Sequence, residues 1–125
     1  MDMDLGAFSV SLAVEDLARS RDFYGSLGFE IVGGDGEQWL VLRNGTTTIG
    51  LFQGMFDRNV LTFNPGWDAK ARPLEGDFTD VRTLQRRVRE AGHELLQACD
   101  EDGEGPASFV VVDPDGNPVL VDQHV

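Results

Sequence analysis

Apolar positions along the chain follow two periods, and the two alternate in the same order twice. Val10, Leu12 and Val14 alternate with Ser9, Ser11 and Ala13, the period of a half-buried strand. Leu17, Phe23, Tyr24 and Leu27 follow at helical spacing, and Val81, Leu84, Val88 and Ala91 do the same later, so each helix is expected to bury one stripe. Asp16 precedes Gly28 by twelve residues, and Asp80 precedes Gly92 by twelve. Each Asp suits an N-cap, where its carboxylate accepts from first-turn N–H groups. Each Gly suits a C′ position, where a positive φ is often needed. Arg82, Arg86 and Arg89 fall off the second stripe and are expected to form a solvated face.

Strands complete each half. Trp39–Leu42, Asn44-Gly45 and Thr48–Leu51 predict a hairpin, and Phe109–Val112, Asp115-Gly116 and Pro118–Val121 predict another. The two align without gaps at an offset of 70, which places Gln53 opposite Gln123. Further strands are expected at 28–33 and 93–98 after the helices, and near 7–14 and 59–64 at the start of each half. The order is strand-helix-strand-strand-strand, twice. The stretch Gly54–Asp77 is irregular apart from a strand at Val60–Phe63 and a turn at Asn64-Pro65-Gly66-Trp67. No Ser/Gly or Pro-rich linker separates the halves. The expectation is one domain over 1–125, with module one at about 5–53 and module two at about 58–125.

Composition narrows the function classes. The 125 residues carry ten Lys and Arg against 22 Asp and Glu, a formal charge of −12. Such a field repels phosphate backbones and anionic lipid heads, so neither a nucleic-acid nor a membrane partner is expected. No apolar run approaches the roughly 20 residues that span a bilayer. Met1-Asp2-Met3-Asp4 is acidic where a secretory signal is basic, and Cys99 is the only cysteine. Both fit a cytoplasmic protein.

Leu12-Ala13-Val14-Glu15-Asp16-Leu17-Ala18-Arg19-Ser20, Phe23-Tyr24, Leu27-Gly28-Phe29 and Val112-Asp113-Pro114-Asp115-Gly116-Asn117-Pro118 carry a further likeness. With the internal repeat, they make the chain resemble the vicinal oxygen chelate superfamily of glyoxalase I, extradiol dioxygenases, fosfomycin-resistance enzymes and bleomycin-resistance proteins. The resemblance implies an α+β fold of two βαβββ modules paired into a bowl-shaped mixed sheet, with helices on the outer face. It also implies a homodimer. Function lives in the site rather than the fold.

Metal-dependent members of that superfamily place His or Glu on the inner face, at equivalent positions of both modules. Carried onto this chain, the first position is Ser9, the second Gly50 and the fourth Leu120. The third falls within Arg58–Asn64, which has no His, Asp, Glu or Cys. Divalent metals take imidazole, carboxylate or thiolate ligands. No metal and no cofactor is therefore expected. Of the two histidines, His93 follows Gly92 at a surface position, and His124 is expected to point away from the Leu120 face.

Strand parity supplies a candidate ligand face: Ser9, Ser11, Trp39, Thr48, Gly50, Phe52, Leu120 and Asp122. Val41 and Arg43 share the parity of Trp39. Aromatic rings with a few hydroxyls and one carboxylate suit a small, largely apolar ligand, although the same residues also suit a packed or solvated sheet face. Trp67 and Phe63 either cover this face or anchor the connector. Asp122 is the one catalytic candidate, as a general base with a raised pKa or as a partner for a positive ligand group. The alternative, and the preferred one, is an ordinary exposed acid near a chain end.

Other motifs fall away. Asp100–Gly105 has the acidity of a calcium loop but Val111 at its twelfth position, and Asp113-Pro114-Asp115 has Pro118 where that loop needs Gly. No Walker or dinucleotide Gly pattern occurs. Nothing marks Cys99 as a nucleophile. The expected function is metal-free binding of a small organic molecule. The alternatives are a lyase, isomerase or dioxygenase-like enzyme with a displaced metal site, or an interaction module without a site. Whether any catalysis occurs, and on what ligand, stays open in the sequence.

Overall fold

The structure, a computed structural model, describes residues 3–125. Its elements run β1 (Ala7–Val14), α1 (Leu17–Gly25), β2 (Glu30–Gly34), β3 (Trp39–Asn44), β4 (Thr47–Gln53), β5 (Val60–Asn64), α2 (Val81–Glu90), β6 (Leu95–Gln97), β7 (Ala107–Val112) and β8 (Pro118–Gln123). This is the βαβββ order twice, in an α+β chain. The chain divides into two compact units, Ser9–Val60 and Leu61–Val125, the latter with the described residues before Ser9, 3–8. No helix of the described residues is long and apolar enough to cross a membrane.

In the Ser9–Val60 unit the strand order is β2-β3-β4-β1, with β1 and β4 parallel and the other pairs antiparallel. Leu17, Leu40, Leu42, Ile49 and Leu51 form its core, with Leu12, Val14, Tyr24 and Phe29 packed against them. The other unit repeats the plan as β6-β7-β8-β5, with β5 and β8 parallel. Its core is Val81, Leu84, Phe109 and Val121. One face of each sheet thus packs under a helix, as the alternation predicts.

The helix ends are built alike. Asp16 accepts from the Arg19 N–H at 3.1 Å, and Asp80 from the Arg82 N–H at 2.9 Å. A glutamine from the last strand of each module supplies a second cap. Gln53 Oε1 accepts from the Leu17 N–H at 2.7 Å, and Gln123 Oε1 from the Val81 N–H at 2.8 Å. At the far ends the Phe29 N–H reaches the Tyr24 carbonyl and the His93 N–H that of Val88. Gly28 and Gly92 sit at φ +94 and +97 inside these Schellman turns.

Several expectations are corrected. Phe23 and Leu27 are more than half exposed, and Ala91 is exposed too. Adjacent helix residues lie about 100° apart, so Phe23 turns outward when Tyr24 turns in. Leu27 and Ala91 lie past the last helical residues. Arg82 is not on a solvated face: it is 6% exposed, bonded to the Asp80 carboxylate and to the Gly105 carbonyl. Arg86 and Arg89 are exposed and pair with Glu101.

The hairpins do not align without a gap. Trp39 pairs with Phe52 and Asn44 with Thr47, which leaves the two-residue turn Gly45-Thr46. Ala107 pairs with Gln123 and Val112 with Pro118, and the Asp113 N–H meets the Asn117 carbonyl around a three-residue turn. The second turn is one residue longer. Gly50 and Leu120 still correspond, but Val41 corresponds to Val110 and Trp39 to Ser108. The expected strands after the helices are also shorter and later than 28–33 and 93–98.

Candidate functional site

The helix-free face of the Ser9–Val60 sheet carries six of the eight candidate residues. Ser11 and Val41 flank Gly50 in register, Trp39 faces Phe52, and Arg43 faces Thr48. Ser9 shares the face by its parity in β1. Alternation from buried Leu40, Leu42, Ile49 and Leu51 aims these side chains away from α1.

Glycine at 50 shapes this face. A Cβ there would meet Phe52 Cε2 at 2.5 Å, so the Phe52 ring lies over the glycine backbone. The Trp39 and Phe52 rings are parallel within 2°, with centroids 6.1 Å apart, and Phe56 approaches Phe52 at 5.2 Å. The opposite end of the face is polar. Arg43 is half-buried and donates from Nε to Thr48 Oγ1 at 3.2 Å. No carboxylate of the described residues lies within 4.0 Å of its guanidinium.

Leu120 and Asp122 lie on the helix-free face of the other unit's sheet. Leu120 is in register with Thr62 and Val110, and Asp122 with Ser108. The Asn64 Nδ2 donates to the Asp122 carbonyl at 2.8 Å. Burial pushes the Asp122 carboxyl above its ordinary range, and the charge of His124 opposes that shift. His124 does not point away. Its Nε2 lies 3.2 Å from Asp122 Oδ2, and its ring stacks on Trp67 with centroids 4.5 Å apart. Residues 120, 122 and 124 share one parity, which turns His124 to the side of Asp122 rather than away from it. Phe63 shares the parity of Val121 and touches Phe8 at 5.0 Å.

With both faces described, similarity to known proteins can be placed. The family model for the glyoxalase/bleomycin resistance protein/dioxygenase superfamily matches residues 6–121. The chain belongs to this superfamily. No curated protein matches it. Among solved structures it is similar to a protein described as an NAD-dependent benzaldehyde dehydrogenase from Legionella pneumophila (TM-score 0.67, 16% identity, 94% of this chain and 99% of that one). A superfamily member from Vibrio splendidus gives 0.63 at 17% identity, covering 93% and 97%. The Mn(II)-bound glyoxalase from Novosphingobium aromaticivorans gives 0.57 at 18%, covering 95% of this chain but 38% of that one. At these identities the likeness carries the fold alone.

The residues that the resemblance assigns to metal positions do not have the side chains of divalent-cation ligands. Position 9 is a serine and position 120 a leucine. Position 50 has no side chain, and a Phe52 ring occupies the space one would enter. On β5 the register with Leu120 selects Thr62, and with it Val60 and Asn64, as the residues of that face. None is an imidazole, carboxylate or thiolate. Among the described residues no three His, Cys, Asp or Glu side chains come together elsewhere. Cys99 is half-buried, its backbone N–H held by Gln85 Oε1, and burial pushes its thiol up, away from thiolate reactivity.

Arg43 and His124 are the polar groups that the candidate set left out. Both were reachable by parity, from Trp39 and from Asp122. Phe56 had no such signal, because it lies beyond the end of β4.

Proposed function

We propose that this superfamily member binds a small organic molecule without a metal, on the helix-free face of the Ser9–Val60 sheet that carries Trp39 and Phe52. The observation that carries this reading is the Phe52 ring lying over Gly50, parallel to Trp39. Aromatic surface at the position that the resemblance assigns to a metal ligand supports a metal-free reading. Aromatic pairs of this kind hold apolar bodies by burial and stacking, while Ser9, Ser11 and Thr48 supply orienting polar groups. The single cysteine and acidic charge fit a cytoplasmic protein, and a homodimer is the assembly proposed.

A second reading is a lyase, isomerase or dioxygenase-like enzyme that moves a proton without the usual metal. The Asp122–His124 contact at 3.2 Å favours it, since a carboxyl whose pKa burial raises can pass a proton to an imidazole beside it. Elemental analysis after incubation with zinc, nickel, iron and manganese, followed by desalting, tests the metal-free premise. The expected result is no stoichiometric metal. One tightly held metal per chain would overturn the proposal.

A further inference from the structure

We infer that the ligand is an anionic aromatic compound, a planar apolar body joined to a carboxylate or similar acid, lying along β3 from Trp39 to Arg43. This deepens the binding reading above and rests on it.

The helix-free face of the Ser9–Val60 sheet has two chemically different ends. At one end Trp39 and Phe52 are parallel and Phe56 closes on them. At the other stands Arg43. Arg43 lies four steps along the strand from Trp39, a span of about 13 Å between their Cα atoms. Between the two ends the Phe52 ring lies over Gly50, with Val41 and buried Ser11 on either side of that glycine.

Arg43 differs from the chain's paired arginines. Arg21, Arg72, Arg82, Arg86 and Arg89 each have a carboxylate within reach. Arg43 has Thr48 instead, which takes its Nε–H and holds the side chain against the sheet. Its two terminal nitrogens keep their donors in a planar fork, the geometry that matches a carboxylate. Glu30 is the charged neighbour that competes. It lies directly across from Arg43 on β2, is exposed and makes no ion pair with it. The net charge of −12 works against an anion at long range. Screening confines that opposition to about a Debye length, some 8–10 Å, whereas a half-buried contact is screened far less.

Isothermal titration calorimetry with ω-phenylalkanoates and their primary amides, at neutral pH and fixed ionic strength, tests the inference. Wild-type protein is expected to bind acids tighter than amides by roughly tenfold or more. Arg43→Gln should erase that preference and leave amide affinity within about twofold. Arg43→Lys should retain part of it, and Glu30→Gln should enlarge it. Trp39→Leu should weaken acids and amides alike. Equal binding of acids and amides by wild type, or an acid preference that survives Arg43→Gln, overturns the inference and leaves the binding reading standing. No binding of either series, with no effect of Trp39→Leu, overturns both.

Discussion

The ring of Phe52 lies over Gly50, two residues back on its own strand, at 2.5 Å from where a Cβ would stand. One glycine therefore decides both what the face lacks and what it offers. It supplies no side-chain donor and lets an aromatic ring settle parallel to Trp39. Gly50→Ala should push the ring off the strand at a cost of about 1–3 kcal/mol, the range for an overpacked site. In a Phe52→Ala background the same substitution should cost much less. Urea denaturation of the four proteins measures this coupling, and additive costs would mean that ring and glycine do not interact.

The two capping glutamines should differ in weight although they occupy equivalent positions. Gln123 is 2% exposed, and besides the Val81 N–H it serves the carbonyls of Gly105 and Val125. Gln53 is half-buried and caps Leu17. Gln123→Ala strands several buried groups and should cost about 2–3 kcal/mol, against about 1 kcal/mol for Gln53→Ala. Equilibrium unfolding ranks them directly.

Three arginines that share one helix should separate sharply. Arg82 is buried, so Arg82→Ala leaves a cavity, removes its bond to the Gly105 carbonyl and strips Asp80 of its partner. A loss of about 2–4 kcal/mol is expected. Arg86→Ala and Arg89→Ala remove exposed pairs and should each cost under about 1 kcal/mol. Comparable losses for all three would contradict the burial of Arg82.

Asp80 and Asp122 should drive the pH dependence of stability in opposite directions. Burial works to raise the Asp80 carboxyl, but hydrogen bonds from the Arg82 backbone and guanidinium and from Gln123 outweigh it, and the net shift is downward. Its stabilisation is then present above the unfolded value, about 3.9, and is lost as pH falls through the lower folded value. Asp122 is shifted upward, chiefly by burial. The folded state favours its protonated form, so stability declines as pH rises from about 3.9 through the higher folded value. Asp122→Asn should gain on wild type across that window, and Asp80→Asn should lose most at neutral pH. Unfolding free energies through the acid range test both signs.

Much of this chain was legible without a fold. Alternation and helical spacing located both helices and the paired hairpins, because each period follows from backbone geometry alone. Asp16, Gly28, Asp80 and Gly92 marked helix ends through local hydrogen bonding. Long-range packing lay outside that reach. A one-residue insertion in a turn is invisible to alignment by composition, yet it pairs Ser108 rather than Trp39's apparent equivalent with Asp122. The burial of Arg82 depends on Gly105, 23 residues away in sequence. The contact of His124 with Asp122 and Trp67 depends on a connector that has no periodicity. Sequence by itself determined the elements, their order and the residue types on each strand face. Tertiary structure alone decided which polar groups are buried, which are paired and which ring fills the space over Gly50, because those depend on atoms brought together from distant parts of the chain.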